Sequence, residues 1–257
     1  MLLSLSLALT AVLRQQQPAD SSFWRARDGR LVLGAVAATA VTAVFDERIA
    51  RWARTSSVQG DSSRHDAVEA VTVINEMPLT LAAVATYGVG RLSGQHTVAD
   101  IGAHWTEALL STVAIDEVLR IAIGRARPRA SPDDAFAFKP GQGLSQFEFR
   151  SFPSLHAAVA FATAAALSQE MEVRKTRSRR VLTWTLFTLA TIPGFTRLYL
   201  DQHWASDIVS GSAVGAYLGT RVVQYMHGHA TRLDRVLLGA RVVPTTNGMV
   251  LGWTVLR

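Results

Sequence analysis

Six stretches of this sequence read as apolar or amphipathic helices, about 31–45, 67–91, 97–126, 154–171, 181–199 and 203–226. Short polar segments rich in arginine separate them, so the chain must bury its apolar residues by packing helix on helix. The expected fold is all-α: a membrane-associated bundle of about six helices. Composition agrees. Apolar residues make up 49% and charged residues 18%, with a mean hydropathy of +0.18, more apolar than an ordinary soluble protein. Several stretches are short for a bilayer; the apolar core of 31–45 has only 15 residues. The third stretch carries Asp100, His104, Glu107, Asp116 and Glu117. In a membrane these must face the bundle interior or a wet cavity, and a soluble amphipathic helix is the alternative.

The 257 residues suffice for one large domain. The organisation expected is a signal-like or interfacial segment over 1–29, a helical domain over 30–226 and a tail over 227–257. Residues 1–13 form an apolar run too short to span a bilayer, and both a cleaved signal and an uncleaved interfacial segment fit it. In the tail, Asn247-Gly248 between two apolar runs predicts a small β-hairpin. His227-Gly228-His229 lacks further ligands nearby in sequence and reads as exposed polar tail rather than a metal site. The chain has no cysteine, which removes disulfides and thiol chemistry. A net charge of +6 suits an anionic lipid surface or a phosphate substrate better than nucleic acid, because the basic residues lie between apolar stretches.

Three segments carry candidate chemistry. His203 and Asp207 stand four residues apart and would share a face if helical; a carboxylate beside an imidazole fixes its tautomer. Arg197 lies close enough in sequence to border the same anion. Ser154 is a good N-cap for the helix that follows, leaving free N–H groups near Leu155 and His156 that suit a phosphate. Arg120 and Arg127 stand seven residues apart, two helical turns, with Pro128 ending the helix. Guanidinium forks bind phosphate oxygens and keep their charge. Each segment alone also fits a plain structural role: a surface His–Asp pair, a capped helix with an incidental histidine, a solvated basic helix end.

Taken together and in order, Arg127-Pro128, Pro153-Ser154, His156, Arg197, His203 and Asp207 resemble the signature of the type-2 phosphatidic acid phosphatase and haloperoxidase superfamily. Arg120 stands where that family has lysine, Thr196 where it has serine, and Leu155 where it has glycine. Leucine at that place looks like a sub-branch that handles sphingolipid and inositol head groups. The resemblance implies that His203 attacks phosphorus to form a phosphohistidine, that Asp207 orients it, and that His156 protonates the leaving alcohol and then activates water. Arg120, Arg127, Arg197, Ser154 and the N–H groups around Leu155 would hold the phosphate oxygens. It implies no cofactor and no metal; vanadate would enter only in a haloperoxidase.

Loop charge supplies an orientation. Five cations over 174–180 mark that loop as cytoplasmic, which sends all three motifs to the extracytoplasmic face of a multi-pass membrane protein. The expected activity is metal-independent, acid-phosphatase-type hydrolysis of a lipid phosphate or polyprenyl diphosphate, with the bilayer as the other partner. The alternatives are a vanadate-dependent haloperoxidase, a soluble secreted acid phosphatase, a transferase and an inactive lipid-binding relative.

Overall fold

Each predicted stretch becomes helix, and the differences lie where a capping residue or a glycine intervenes. The structure is a computed structural model describing residues 22–229 apart from residue 74, and the backbone of 240–245 and 248–253. The apolar run over 1–13 lies outside the described residues. The helices are α1 (Asp28–Ala43), α2 (Asp46–Ala53), α3 (Ser56–Gln59), α4 (Ser62–Val71), α5 (Glu76–Leu92), α6 (His96–Ile123), α7 (Leu155–Val173), α8 (Arg179–Tyr199) and α9 (Ala205–Gly228).

Three expectations change. The stretch 67–91 is two helices rather than one: Asn75 caps α5, its side chain accepting from Met77 N at 3.1 Å. Pro78 then sits in the first turn, where a missing N–H costs nothing. Second, α6 stops at Ile123 rather than at Pro128. Gly124 is left-handed (φ 60°, ψ 46°) and bonds back to Arg120 O; any side chain there would also strike the Lys139 carbonyl. Arg127 is therefore in a loop, not on the helix face of Arg120. Third, α9 runs through Gly228, so His227 belongs to the bundle rather than to an exposed tail.

The core forms where α6, α7 and α9 meet, with Trp105, Leu109, Leu155, Val159, Val222 and Val223 all buried. The backbones of α7 and α9 approach each other closely. Gly211, Gly215 and Gly219 recur every four residues on one face of α9, and a side-chain carbon on them would collide with the carbonyls of Ser154, Ala158 and Ala162. Gly215→Ala must push two helix backbones apart. It should cost about 1–3 kcal/mol, the range for overpacking, read as a lowered unfolding temperature in detergent. At the other end, α1 is tied to α9 by the buried Asp28, which faces Arg221 at 3.3 Å and accepts from Tyr217 Oη at 3.2 Å.

Large apolar side chains remain outside, among them Leu33 (70% exposed), Leu92 (69%), Val181 (69%) and Trp184 (77%). No single described helix is long and apolar enough to cross a membrane; α1 with α2, and α4 with α5, meet that length and composition only as bent pairs. Beyond the bundle, Ala240–Thr245 and Gly248–Trp253 pair antiparallel as β1 and β2, with Val243 opposite Val250.

Candidate active site

Two helix N-termini and the end of α6 converge at one end of the bundle. The backbone joins them directly: Ser154 N donates to Asp207 O at 3.0 Å, so the starts of α7 and α9 lie side by side. Ser154 holds the N-cap position of α7, but its side chain makes no capping bond, and its buried Oγ has no hydrogen-bond partner. The hydroxyl is thus left for another acceptor or donor. Leu155 begins the helix with no positive φ, and its side chain packs into the core against α6 and α9. The backbone freedom of glycine is not needed there, which explains how leucine fits at the family's glycine position.

His203 lies just before α9, not on it. Its Nδ1 is 2.7 Å from the Ser151 carbonyl and 3.6 Å from Asp207 Oδ2. The i,i+4 helix pairing expected for His203 and Asp207 is therefore replaced by a loop geometry. A carbonyl only accepts, so Nδ1 carries the proton and Nε2 of the neutral ring keeps its lone pair. Asp207 acts one step further back. It accepts from Trp204 N at 2.9 Å, from Ser151 Oγ at 2.5 Å and from Arg125 Nη1 at 2.6 Å. It caps α9 and fixes Ser151, whose carbonyl in turn orients His203.

Arg125 was not among the predicted site residues, nor were Asp46 and Ser151. Arg125 is buried and also bonds Asp46 Oδ2 at 2.8 Å and Ser206 Oγ at 2.7 Å. Its position between Arg120 and Arg127 was a visible signal, but its partners come from distant segments.

The predicted arginines share acceptors. Arg120 Nε and Arg127 Nη2 both reach the Arg150 carbonyl, at 3.0 and 3.4 Å. Gln202 takes Arg127 through its carbonyl at 3.1 Å and Arg197 through its side chain at 2.9 Å. Arg127 Nε and Arg197 Nε are buried with no partner, which leaves charged donors for an anion. Arg120 is held more tightly, with Nη1 on Glu117 at 2.7 Å. Arg197, Arg120, Arg127 and the neutral His203 lie near His156, whose Nε2 faces Glu76 Oε2 of α5 at 3.7 Å.

Burial, reinforced by Arg127 and Arg120, pushes the His203 ring down to about 4 against the pull of Asp207. The unfolded chain would take that proton near 6.5. The unfolded state then binds more protons between about pH 6.5 and 4, so stability is lost as pH falls through that window. Melting temperatures measured from pH 7 down to 4.5 should fall more steeply for the native chain than for His203→Asn.

The sequence model of the PAP2 superfamily matches residues 101–230, and the chain belongs to that superfamily. A lipid A 1-phosphatase of Rhizobium johnstonii is 32% identical over 118 residues, 46% of this chain and 44% of that protein. A lipid A 4'-phosphatase of Bacteroides thetaiotaomicron is 29% identical over 149 residues, 51% of this chain and 60% of that one. The chain thus spans less than two thirds of the length of these relatives. Among solved structures, a PAP2-type phosphatidylglycerolphosphate phosphatase from Bacillus subtilis aligns over 72% of this chain and 93% of its own, at 18% identity and a TM-score of 0.38.

Proposed function

We propose that this chain is a phosphatase that hydrolyses the phosphate of a membrane lipid through a phosphohistidine on His203. The observation that carries this reading is the gathering of Arg127, Arg197, His156, His203 and the α7 N-terminus at one end of the bundle, with buried donors left unpaired. In the first step, His203 Nε2 attacks phosphorus and the phosphorus–oxygen ester bond breaks. His156 gives its proton to the departing lipid oxygen. In the second, His156 takes a proton from water, which attacks the phosphohistidine; phosphate leaves and His203 returns to neutral. Arg120, Arg127, Arg197, Ser154 Oγ and the Leu155 N–H would hold the three equatorial oxygens, supplying the positive charge that phosphoryl transfer requires.

An apolar groove of about 910 Å³ supports a lipid substrate. It runs between α1, α6 and α9, and Phe152 and Pro153 line it. These two residues sit between Ser151 and Ser154 in the chain, so the groove would carry an acyl chain up to the phosphate pocket. The exposed apolar faces and the basic loop over 174–180, at the far end of α7, support a membrane protein with this pocket on the extracytoplasmic face. The lipid A phosphatases among its relatives make a phosphorylated glycolipid the first substrate to try. Phosphate release should be assayed in detergent with EDTA, offering lipid A, phosphatidate, phosphatidylglycerol phosphate and polyprenyl diphosphate. Release from at least one is expected; no release from any overturns the reading.

A further inference from the structure

At the end of the bundle remote from the phosphate pocket, His104 of α6, Glu170 of α7 and His227 of α9 meet. Glu170 follows His156 on the same helix by 14 residues, about 21 Å along its axis. His104 Nδ1 lies 2.5 Å and His227 Nε2 3.0 Å from one oxygen, Glu170 Oε1, and the three ligand atoms all lie within 4.8 Å of one another. The side chains of His104 and Glu170 are 7% and 2% exposed, that of His227 26%. The cluster is therefore closed towards the bundle and reached from one side.

We propose that this cluster binds one divalent transition-metal ion, Zn²⁺ foremost, which clamps the ends of α6, α7 and α9. Two imidazoles and one carboxylate form a donor set that zinc favours and that magnesium and calcium do not. Bonds of about 2.0–2.1 Å put neighbouring ligand atoms roughly 3.3 Å apart, so the two short separations need open by less than about 1 Å. The reachable side of His227 leaves room for a water as fourth ligand. Arg174 Nε holds the other carboxylate oxygen, Glu170 Oε2, at 2.9 Å. That bond orients the carboxylate and leaves Oε1 for the ion, as outer-shell partners do around metal ligands. Asp100, 3.7 Å from Arg174 Nη2, offsets the guanidinium charge. The rival arrangement is a plain hydrogen-bonded cluster in which both rings donate to Glu170.

The test uses the full chain without a histidine tag, stripped with EDTA and dialysed against Zn²⁺. Metal analysis should find one Zn²⁺ per chain. The melting temperature should rise by about 5 °C or more at a hundredfold excess of Zn²⁺ over Kd, and Mg²⁺ should not raise it. His227→Ala, at the exposed corner, and the near-isosteric Glu170→Gln should each lose stoichiometric binding. Absence of stoichiometric Zn²⁺ in the native chain, or binding undiminished in both variants, overturns the proposal.

Discussion

Replacing His203 by alanine should reduce phosphate release by at least about a thousandfold, because it removes the nucleophile of the first step and, with it, the intermediate that water attacks in the second. The expectation rests on a specific atom. With Nδ1–H committed to the Ser151 carbonyl at 2.7 Å, only Nε2 is available to attack phosphorus. The native chain given a radiolabelled lipid phosphate and quenched in alkali should carry a label that acid removes, as a phosphohistidine does; His203→Ala should carry none. His156→Ala should behave differently. It should slow release most for a poor leaving group and least for an activated one such as a nitrophenyl ester, since an activated alcohol needs no proton. Undiminished release by His203→Ala would exclude the covalent route altogether.

The second large effect should come from Arg125, a residue that touches no proposed substrate atom. Its guanidinium joins Asp207 Oδ1 at 2.6 Å to Asp46 Oδ2 at 2.8 Å, and all three side chains are at most 2% exposed. Arg125→Met leaves two buried carboxylates without their cation. Breaking a buried pair in this way costs about 3–5 kcal/mol. Lysine should rescue little, because a single ammonium cannot span two carboxylates as the planar fork does. Adding Asp46→Asn should recover part of the loss, which thermal unfolding of the two single variants and the double variant would measure. A loss below about 1 kcal/mol in Arg125→Met would mean that the network contributes little to the fold.

The contrast between these residues shows what a sequence can carry. His156, His203, Arg127 and Arg197 are legible because phosphate chemistry demands those side chains and the spacing places them in order. Arg125, Asp46 and Ser151 serve geometry instead: Arg125 reaches Asp46 and Asp207 across 79 and 82 positions, and Ser151 reaches His203 across 52. No local pattern announces such a contact. The end of α6 was legible in principle: Gly124 before a Pro-containing loop is a helix stop, but the charge spacing of Arg120 and Arg127 suggested about one more turn of helix. The break between α4 and α5 was likewise signalled by Asn75 and Pro78 within an otherwise apolar run. His227 could not be placed from sequence, because Glu170 and His104 reach it only once α6, α7 and α9 are packed.

The hydrogen bond from Ser154 N to Asp207 O sets two helix beginnings shoulder to shoulder. Each presents the positive end of a dipole, and the guanidinium groups of Arg127 and Arg197 stand close by. Asp207 quiets one of the two dipoles; at the other, the N-cap residue Ser154 makes no side-chain capping bond. The fold therefore keeps this corner under electrostatic load, and an arriving phosphate relieves it. A pocket built on that principle holds product as firmly as substrate, so emptying it, rather than chemistry, is where the turnover of such a protein would be throttled.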